Sequence, residues 1–358
     1  MKTIHSIDFA DSRRMTAVAD DSIDLVVTSP PYPMIEMWDD LFRKMDRNIK
    51  KCLSRQDGPE TFEAMHQQLD PVWQECFRVL KPGGFACINI GDATRTMDTQ
   101  FALYTNHARI LSEARKIGFT GLPCIIWRKQ TNAPTKFMGS GMLPAGAYVT
   151  LEHEYILILR KHGKREFKTA QDKQMRRESA IFWEERNHWF SDVWFDLKGT
   201  AQALADAKDR NRSAAFPFEL AYRLINMFSV KGDQVLDPFM GTGTTTAAAM
   251  AAGRSSVGYD TDTHLIPAIQ RTVRGVMVLA GQVAARRLAR HLDFVEQRTA
   301  AGKPVKHMNA PYGFPVITSQ EKFLQLHIPS DLVQTDETRF EVSHEMAQIP
   351  FKYSLFDD

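Results

Sequence analysis

The stretch from Phe218 to Tyr259 limits the possible folds most strongly, because short apolar strand patterns alternate there with helical patterns. A helix is predicted over 218–228, a strand over 234–237, a helix over 244–252 and a strand over 256–259. Consecutive strands joined by helices form parallel sheets with helices on both faces. We therefore expect an α/β fold with a doubly wound, mostly parallel sheet.

The amino-terminal part of the chain shows the same alternation. A β-branched run at 23–28 ends in Ser29-Pro30-Pro31, which is typical of a buried strand that stops in a rigid turn. An amphipathic helix is predicted over 62–80, ended by Lys81-Pro82-Gly83-Gly84. Three further strands are predicted over 85–90, 122–127 and 154–159.

The texture of the sequence divides the chain into four stretches. Residues 1–161 and 213–300 carry the α/β pattern, and the long helical pattern after Asp262 reaches about residue 299. Residues 162–212 lose apolar periodicity and are rich in charge and tryptophan, which indicates an insertion. The extension 301–358 gives no prediction of its role.

Composition narrows the class of protein. Hydrophobic residues make up 43% and charged residues 25%, which indicates a globular chain rather than a disordered one. The four cysteines are widely spaced, so neither a disulfide framework nor a zinc site is expected, and no apolar run is long enough to span a membrane. A cytoplasmic location is expected. Because the net charge is only +2, a nucleic-acid surface would need local clusters of Lys and Arg.

A glycine-containing turn, Asp237-Pro238-Phe239-Met240-Gly241-Thr242-Gly243-Thr244-Thr245, joins a predicted strand to a predicted helix. Open α/β sheets bind ligands at such junctions. A Walker-type phosphate loop needs a lysine that this turn lacks, and a dinucleotide fingerprint needs a third glycine where Thr246 stands. The remaining option is a nucleoside that carries no phosphate.

An acid follows at the end of the next strand, in Gly258-Tyr259-Asp260. In nucleotide-binding α/β folds, an acid about 20 residues after the glycine turn binds ribose hydroxyls. Asp260 is therefore the predicted ribose ligand. Either element alone could be only a tight connection or a helix cap, but the pair together favours a nucleoside site.

The run Thr28-Ser29-Pro30-Pro31-Tyr32 is the most informative in the chain. Two prolines fix the backbone and remove N–H donors, so carbonyl groups face a ligand at low entropic cost. If the Ser29 hydroxyl and the Pro30 carbonyl accept hydrogen bonds from an exocyclic amine, the amine lone pair is freed to attack a sulfonium methyl group. Tyr32 would stack on the base, which must leave the duplex.

These motifs resemble those of the permuted, beta-type DNA methyltransferases that methylate amino groups, in which the catalytic motif precedes the cofactor motif. Ser29 to Tyr32 matches the family tetrapeptide Asp/Asn/Ser-Pro-Pro-Tyr/Phe, and Asp237 to Thr244 matches the cofactor motif. Further matches are Val79-Leu80-Lys81-Pro82-Gly83-Gly84, Trp127-Arg128-Lys129, His153-Glu154-Tyr155 and Ala215-Phe216-Pro217-Phe218-Glu219-Leu220.

The resemblance implies a Rossmann-like methyltransferase fold with a seven-stranded sheet, and S-adenosylmethionine as cofactor. It places the methionine moiety near the glycine turn and an additional cofactor motif just before the helix at 218–228. Asp8 is similar to a family acid near the adenine or the sugar, although the usual Gly-Asp pair reads Ile7-Asp8 here. The cofactor-binding residues that it implies, together with Asp260, are Asp8, Phe216, Pro217, Asp237, Pro238, Phe239, Gly241, Gly243 and Thr244.

The resemblance also implies the substrate. With serine at position 29, the chain resembles the family members that methylate cytosine N4, whereas adenine N6 enzymes more often carry Asp at this position. The implied partners are double-stranded DNA and a cognate restriction endonuclease, with the chain a monomer or homodimer. The insertion 162–212 is the expected target-recognition region, between a catalytic half at 1–161 and a cofactor-binding half at 213–300. Its expected DNA-binding patch consists of Lys164, Arg165, Lys168, Arg176 and Arg177, with tryptophans that could pack or stack on bases.

Other functions remain open at this point. Pro123-Cys124 is similar to the nucleophile of cytosine C5 methyltransferases, but Cys124 lies inside an apolar run and is interpreted as a core residue. His153-Glu154 has no second histidine at helical zinc spacing, so no metal site is predicted. The resemblance instead implies that this pair is a strand feature that supports the site. Methylation of adenine N6, of RNA or of a protein glutamine is the alternative activity. A DNA-binding regulator without activity is the alternative class.

Overall fold

The computed structural model describes residues 1–129, 138–198 and 216–350. Part of the expected target-recognition region, 199–212, lies outside the described residues, as do Ala215 and the last residues, 351–358. Within the described ranges, no helix is both long and apolar enough to cross a membrane.

The described residues form fourteen strands. They are β1 Lys2–Phe9, β2 Ile23–Thr28, β3 Leu80–Ile90, β4 Ala93–Met97, β5 Gln100–Tyr104, β6 Phe119–Arg128, β7 His153–Lys161, β8 Val193–Trp194, β9 Gln234–Asp237, β10 Ser255–Asp260, β11 His307–Met308, β12 Pro315–Val316, β13 His327–Asp336 and β14 Arg339–Met346.

Nine α-helices are found in the same ranges. They are α1 Asp39–Met45, α2 Arg47–Ser54, α3 Gly58–Val79, α4 Asn106–Ile117, α5 Ala170–Glu178, α6 Trp183–Trp189, α7 Phe218–Phe228, α8 Thr244–Ala252 and α9 Ile266–Ala300. Short 3₁₀ helices cover Glu36–Trp38, Thr263–Leu265 and Ser319–Phe323.

Ten strands form one sheet, in the order β13-β14-β1-β10-β9-β2-β3-β7-β6-β8. Five adjacent strands are parallel to one another, in the order β1, β10, β9, β2 and β3. Strand β7 is antiparallel to both of its neighbours, β3 and β6. The expected doubly wound, mostly parallel sheet is confirmed. Its seven central strands run from β1 to β6 in this order, and β8, β14 and β13 extend it at the two sides.

Both faces of the sheet are covered by helices. Along β2, Leu25 and Val27 belong to a buried cluster that also includes residues of α7, α8 and α9. Val26 belongs to a second cluster that includes residues of α3 and α4. Because successive side chains of a strand point to opposite faces, the whole of β2 is buried, as its unbroken apolar run predicts.

The predicted boundaries agree closely except at β3. The run Lys81-Pro82-Gly83-Gly84 was expected to separate helix from strand, but β3 starts at Leu80, directly after α3. Gly83 has φ +84°, and the pairing of β2 with β3 shifts register between Ile23 and Leu25. The Pro-Gly-Gly sequence therefore forms an irregularity inside the strand rather than a stop, because glycine allows this left-handed conformation.

The described part of the insertion packs on the long helix α9. Trp189 and Trp194 are buried, so these rings fill the core rather than face bases. The Arg287 guanidinium of α9 bonds both Glu185 carboxylate oxygens at 2.6 and 2.7 Å. The stretch therefore joins the main fold through aromatic packing and a buried ion pair.

The extension beyond residue 301 completes the sheet. β14 pairs antiparallel with β1, and β13, the outermost strand of the sheet, pairs with β14. Phe340 and Val342 of β14 are buried in the same cluster as α8 and α9. The extension is thus an integral part of the fold.

The parallel strands bring their ends together at one edge of the sheet. Thr28, Ile90, Asp237 and Asp260 are the last residues of β2, β3, β9 and β10. We call this edge the carboxyl edge. Since β7 is antiparallel to β3, it begins there at His153.

Candidate active site

A buried carboxylate joins the diproline run to the glycine turn. Thr28 and Thr245 donate hydrogen bonds of 2.6 Å each to the two carboxylate oxygens of Asp237, and the Phe239 amide donates a third of 3.1 Å. Thr28 directly precedes Ser29, and Thr245 lies in the first turn of α8. The two motifs predicted from sequence therefore meet at the carboxyl edge.

Burial governs the charge of this carboxylate. Asp237 is 3% exposed, and burial raises its pKa to about 6, although its threonine and amide donors act in the opposite direction. Three donors aimed at one carboxylate stabilise its ionised form. The group can hold the motifs together and present negative charge at the base of the site.

The glycine turn has the backbone shape that a close ligand needs. Gly241 has φ +54° and Gly243 has φ +86°, conformations that other residues rarely adopt. A Cβ atom at Gly241 would meet no atom of the described residues within 4 Å, so these residues leave this side of the turn open. The Met240 amide donates to the Tyr259 carbonyl at 2.9 Å and anchors the turn on β10.

Asp260 lies at the end of β10 and contacts the turn directly. Its carboxylate accepts hydrogen bonds from the Gly241 and Asp262 amides, both at 2.9 Å. Burial raises the pKa of Asp260, and these amides oppose that shift. The acid shapes the turn, and whether it also binds a ribose stays a prediction.

The other expected cofactor residues also lie near the carboxyl edge. Asp8 pairs in register with Tyr259, one residue before Asp260. Phe216 is buried, and Pro217 caps the start of α7, which runs back from this edge towards β9. Phe239 packs edge-on against Trp73 of α3, with ring centroids 6.1 Å apart. Pro238 and Thr244 belong to the turn itself.

The hydroxyl of Tyr32 is held in a dense hydrogen-bond network. Ser29 Oγ donates to it at 3.1 Å and Asn89 Nδ2 at 2.8 Å, while the hydroxyl donates to Glu154 Oε2 at 2.9 Å. Asn89 also donates to Glu154 Oε2 at 2.7 Å, and Lys129 Nζ bonds Glu154 Oε1 at 2.8 Å. Strands β2, β3 and β7 are thereby joined around the diproline run.

This network buries the tyrosine. Tyr32 is 7% exposed, and burial, with the nearby charge of Glu154, raises its pKa well above the usual value. Stacking on a base, as expected from sequence, would use the small part of the ring that stays exposed. Asn89 Oδ1 is buried with no hydrogen-bond partner among the described residues, which leaves an acceptor beside Tyr32.

The backbone after the tyrosine is also fixed. Asn106 Nδ2 donates to the Pro33 carbonyl at 3.1 Å and to the Gly91 carbonyl at 2.9 Å. This side chain is fully buried, so it links the diproline run to the end of β3 without competition from water.

The expected DNA-binding patch lies at the opposite edge of the sheet. Lys164, Arg165 and Lys168 follow the end of β7, which is the amino edge of the parallel strands. Arg165 bonds both carboxylate oxygens of Asp233, at 2.6 and 2.9 Å, just before β9 begins. Its charge is therefore already paired.

The remaining two members of the patch lie on α5, at the same edge. The Arg176 guanidinium lies over Phe167 at 4.7 Å and that of Arg177 over Phe323 at 5.9 Å. The structure does not bring the five residues together with Ser29 and Tyr32. Their assignment to DNA stays a prediction that this geometry does not support.

Sequence reasoning missed two members of the network and identified Glu154 only as part of a strand pair that supports the site. Asn89 carried no signal beyond its position in a strand, and Lys129 was quoted only within a family motif. Polar side chains near the ends of strands that flank the diproline run were the available signal. Cys124 packs against the core within β6, as predicted.

Comparisons with known proteins show the family to which the chain belongs. The DNA methylase family profile matches residues 23–271, which include both motifs. The chain is 49% identical to the Type II methyltransferase M.MthZI of Methanothermobacter thermautotrophicus, with 96% of each chain covered. It is 48% identical to the Type II methyltransferase M.MjaI of Methanocaldococcus jannaschii, over 76% of this chain and 91% of that one.

Solved structures show the same fold. TTHA0409 of Thermus thermophilus, solved in complex with S-adenosyl-L-methionine, is 33% identical, with a TM-score of 0.59 over 76% of this chain and 94% of that one. The cytosine-N4-specific PvuII DNA methyltransferase is 17% identical, with a TM-score of 0.53 over 78% and 92% of the two chains, a likeness of fold. On the family match and the identities to the Type II relatives, this chain belongs to the N6/N4 family of DNA methylases and is a DNA methyltransferase.

Proposed function

We propose that the chain transfers a methyl group from S-adenosylmethionine to the exocyclic N4 of cytosine in double-stranded DNA. The observation that carries this proposal is the junction at Asp237, where Thr28 and Thr245 donate to one carboxylate. It holds the run headed by Ser29 against the glycine turn, so an amine and a methyl donor could share one pocket.

The residues of the turn suit a nucleoside cofactor. Among the residues that the structure describes, none fills the space beside the Gly241 backbone, and the acids Asp237 and Asp260 lie on either side of the turn in sequence. S-adenosylmethionine supplies, when bound, a methyl group on a positively charged sulfur. We infer that Asp237, Phe239, Gly241 and Gly243 surround its methionine part and that Asp260 binds its ribose.

The diproline run supplies acceptors for an amine. The Ser29 oxygen and the Pro30 carbonyl would each accept a hydrogen bond from the two N–H groups, which draws the nitrogen lone pair out of conjugation with the ring. This is catalysis by positioning and hydrogen bonding. The buried oxygen of Asn89, which has no hydrogen-bond partner among the described residues, adds to the acceptors near Tyr32.

Cytosine is favoured over adenine because serine heads the run. In the resemblance described above, serine at this position accompanies N4 methylation, and aspartate accompanies N6 methylation more often. Mass spectrometry of nucleosides from DNA incubated with the protein and S-adenosylmethionine tests this preference. We expect N4-methylcytosine, and N6-methyladenine without it would overturn the preference.

We also propose a restriction–modification role, which the similarity to Type II methyltransferases supports. We expect methylation of one short sequence in the genome of a host that expresses the chain. Sequencing of the modified positions tests this role, since scattered methylation without a common sequence would contradict it. Host DNA protected at that sequence against an endonuclease would identify the partner.

A further inference from the structure

An amine that receives a methyl group must lose a proton. The reaction forms a nitrogen–carbon bond, breaks the sulfur–carbon bond of the sulfonium, and leaves positive charge on the nitrogen. An aspartate at the head of the diproline run could take this proton directly. A serine hydroxyl is too weak a base to hold it, so another group has to receive it.

The hydrogen bonds around Tyr32 run in one direction. Asn89 Nδ2 can only donate, and a carboxylate can only accept. The single hydroxyl proton of Tyr32 is therefore directed to Glu154, and its oxygen accepts from Asn89 and Ser29. The Ser29 proton is in turn directed to Tyr32. This leaves the lone pairs of Ser29 Oγ free to accept from a substrate.

We propose that Ser29 and Tyr32 form a proton relay that ends on the carboxylate of Glu154. This inference rests on the proposed methylation of an exocyclic amine. The amine proton moves to Ser29 Oγ as the Ser29 proton moves to the Tyr32 oxygen and the Tyr32 proton moves to Glu154. The neutral methylated base, the thioether and a protonated Glu154 remain, so atoms and charge balance.

The surroundings of Glu154 suit a terminal acceptor. Its side chain is 12% exposed and is contacted by Lys129, Asn89 and Tyr32. The Lys129 side chain is 40% exposed, so this pair reaches solvent and the proton can leave after turnover. Burial raises the pKa of Tyr32, which keeps the phenol protonated and ready to pass a proton on. In this relay Glu154 acts on the base through Tyr32 and Ser29 and is a positioning residue.

Glu154→Gln tests the acceptor directly. We expect the single-turnover rate of methyl transfer to fall by about 100-fold, in the range of general-base effects, while calorimetry finds the Kd for S-adenosylmethionine within about twofold. The matched control is Glu152→Gln, two residues away and paired with the exposed Arg128, which should keep the parent rate. A Glu154→Gln rate equal to that of the parent would overturn the relay.

A second variant separates the relay from a purely structural role. Ser29→Asp places a base at the head of the run. Glu154→Gln should therefore slow methyl transfer much less in the Ser29→Asp protein than in the parent. An equal cost in both backgrounds would mean that Glu154 only anchors Tyr32. If Ser29→Asp is inactive, the single-turnover rates of the parent and of Glu154→Gln are compared in H₂O and D₂O. A slowing in D₂O that is present in the parent and lost in Glu154→Gln supports the relay. The same slowing in both proteins contradicts it.

The failure of the relay is distinguishable from that of the proposed function. Mass spectrometry of DNA treated with the parent protein reports whether an exocyclic amine is methylated at all. If the parent methylates an amine and the Glu154→Gln variant is fully active, the relay alone is contradicted. No methylated amine from the folded parent, with S-adenosylmethionine bound, removes both.

Discussion

Two single residues, Asp237 and Tyr32, organise the site. Asp237 binds Thr28 beside the diproline run and Thr245 beside the glycine turn, and the Tyr32 hydroxyl joins Ser29, Asn89 and Glu154. Both groups are buried, so each hydrogen bond is made without competition from water. The reactive corner is thus held in shape before a substrate arrives, which lowers the cost of orienting the amine.

Ser29→Ala removes one acceptor for the amine and the first member of the relay. We expect methyl transfer to fall by about 100-fold or more, as for the loss of one preorganised hydrogen-bonding group. The Kd for S-adenosylmethionine should stay near the parent value, because Ser29 makes no hydrogen bond to the glycine turn among the described residues. Filter-binding assays of labelled methyl transfer and calorimetry would measure the two quantities, and a fully active variant would contradict the assignment.

Asp260→Ala should weaken the cofactor. The change removes the predicted ribose ligand and the acceptor for the Gly241 and Asp262 amides, so the turn loosens as well. We expect the Kd for S-adenosylmethionine to rise about 10-fold or more, equivalent to about 1.4 kcal/mol. Asp172→Ala, at an exposed helix cap on the opposite edge, is the control. If Asp260→Ala binds as tightly as the control, the ribose assignment is wrong.

Among the strands, β1 joins β10 to the hairpin formed by β13 and β14. His5 of β1 bonds Ser256 of β10 at 2.8 Å and Thr3 at 2.9 Å, and Thr3 bonds His344 of β14 at 2.9 Å. These polar side chains form a buried hydrogen-bond network across three strands. It ties the hairpin to the sheet where apolar packing alone would allow other registers.

The buried histidines make stability depend on pH. Burial, with the neighbouring His344, lowers the pKa of His5 to about 3, and burial lowers that of His344 to about 4. The unfolded chain takes up protons near pH 6.5, so stability is lost as the pH falls from about 6.5 towards these values. Urea unfolding at pH 7 and pH 5 measures how much the free energy of unfolding falls between the two pH values. This fall should be smaller for His5→Gln than for the parent. An unchanged difference would contradict this origin.

The hairpin also contributes apolar packing. Phe340 of β14 is 1% exposed and packs in the cluster formed with α8 and α9. We expect Phe340→Ala to lower the free energy of unfolding by about 3–5 kcal/mol, the usual cost of emptying such a site. Val333→Ala on β13 is the control, since Val333 is 49% exposed. Equal effects in denaturant titrations would show that the hairpin is not part of the folded unit.

Local patterns predicted the elements but not their long-range contacts. Helices α7 and α8 and strand β9 have the predicted bounds, because proline and glycine mark their ends. The pairing of β14 with β1 joins residues more than 330 positions apart, which no periodicity reveals. The amino-edge position of the basic patch likewise follows from the antiparallel β7, a matter of topology.

The same limit applies to the site. Ser29 to Tyr32 and the turn at 237–243 were identified because prolines and glycines restrict the backbone in ways that sequence displays. Glu154 lies 122 positions from Tyr32, and its role depends on how β7 is placed beside β3. Partners of this kind require the folded chain.

Across the molecule as a whole, the doubly wound sheet brings the two halves of the chain to one edge. β2 carries the diproline run and β9 the glycine turn, and the two strands are direct neighbours although about 200 residues separate them. The described part of the insertion packs on α9, and the hairpin formed by β13 and β14 pairs with β1. The proposed chemistry depends on this placement of an amine acceptor beside a nucleoside site at the ends of adjacent parallel strands.

A crystal structure of the chain with S-adenosylmethionine would test this placement. We predict that the ligand lies on the turn at 237–243, with its methyl group directed at the Ser29 oxygen across a gap that fits one amine nitrogen, so that each contact is about 3–3.5 Å. A ligand bound at the amino edge, or one whose methyl group points away from Ser29, would be incompatible with the proposed transfer.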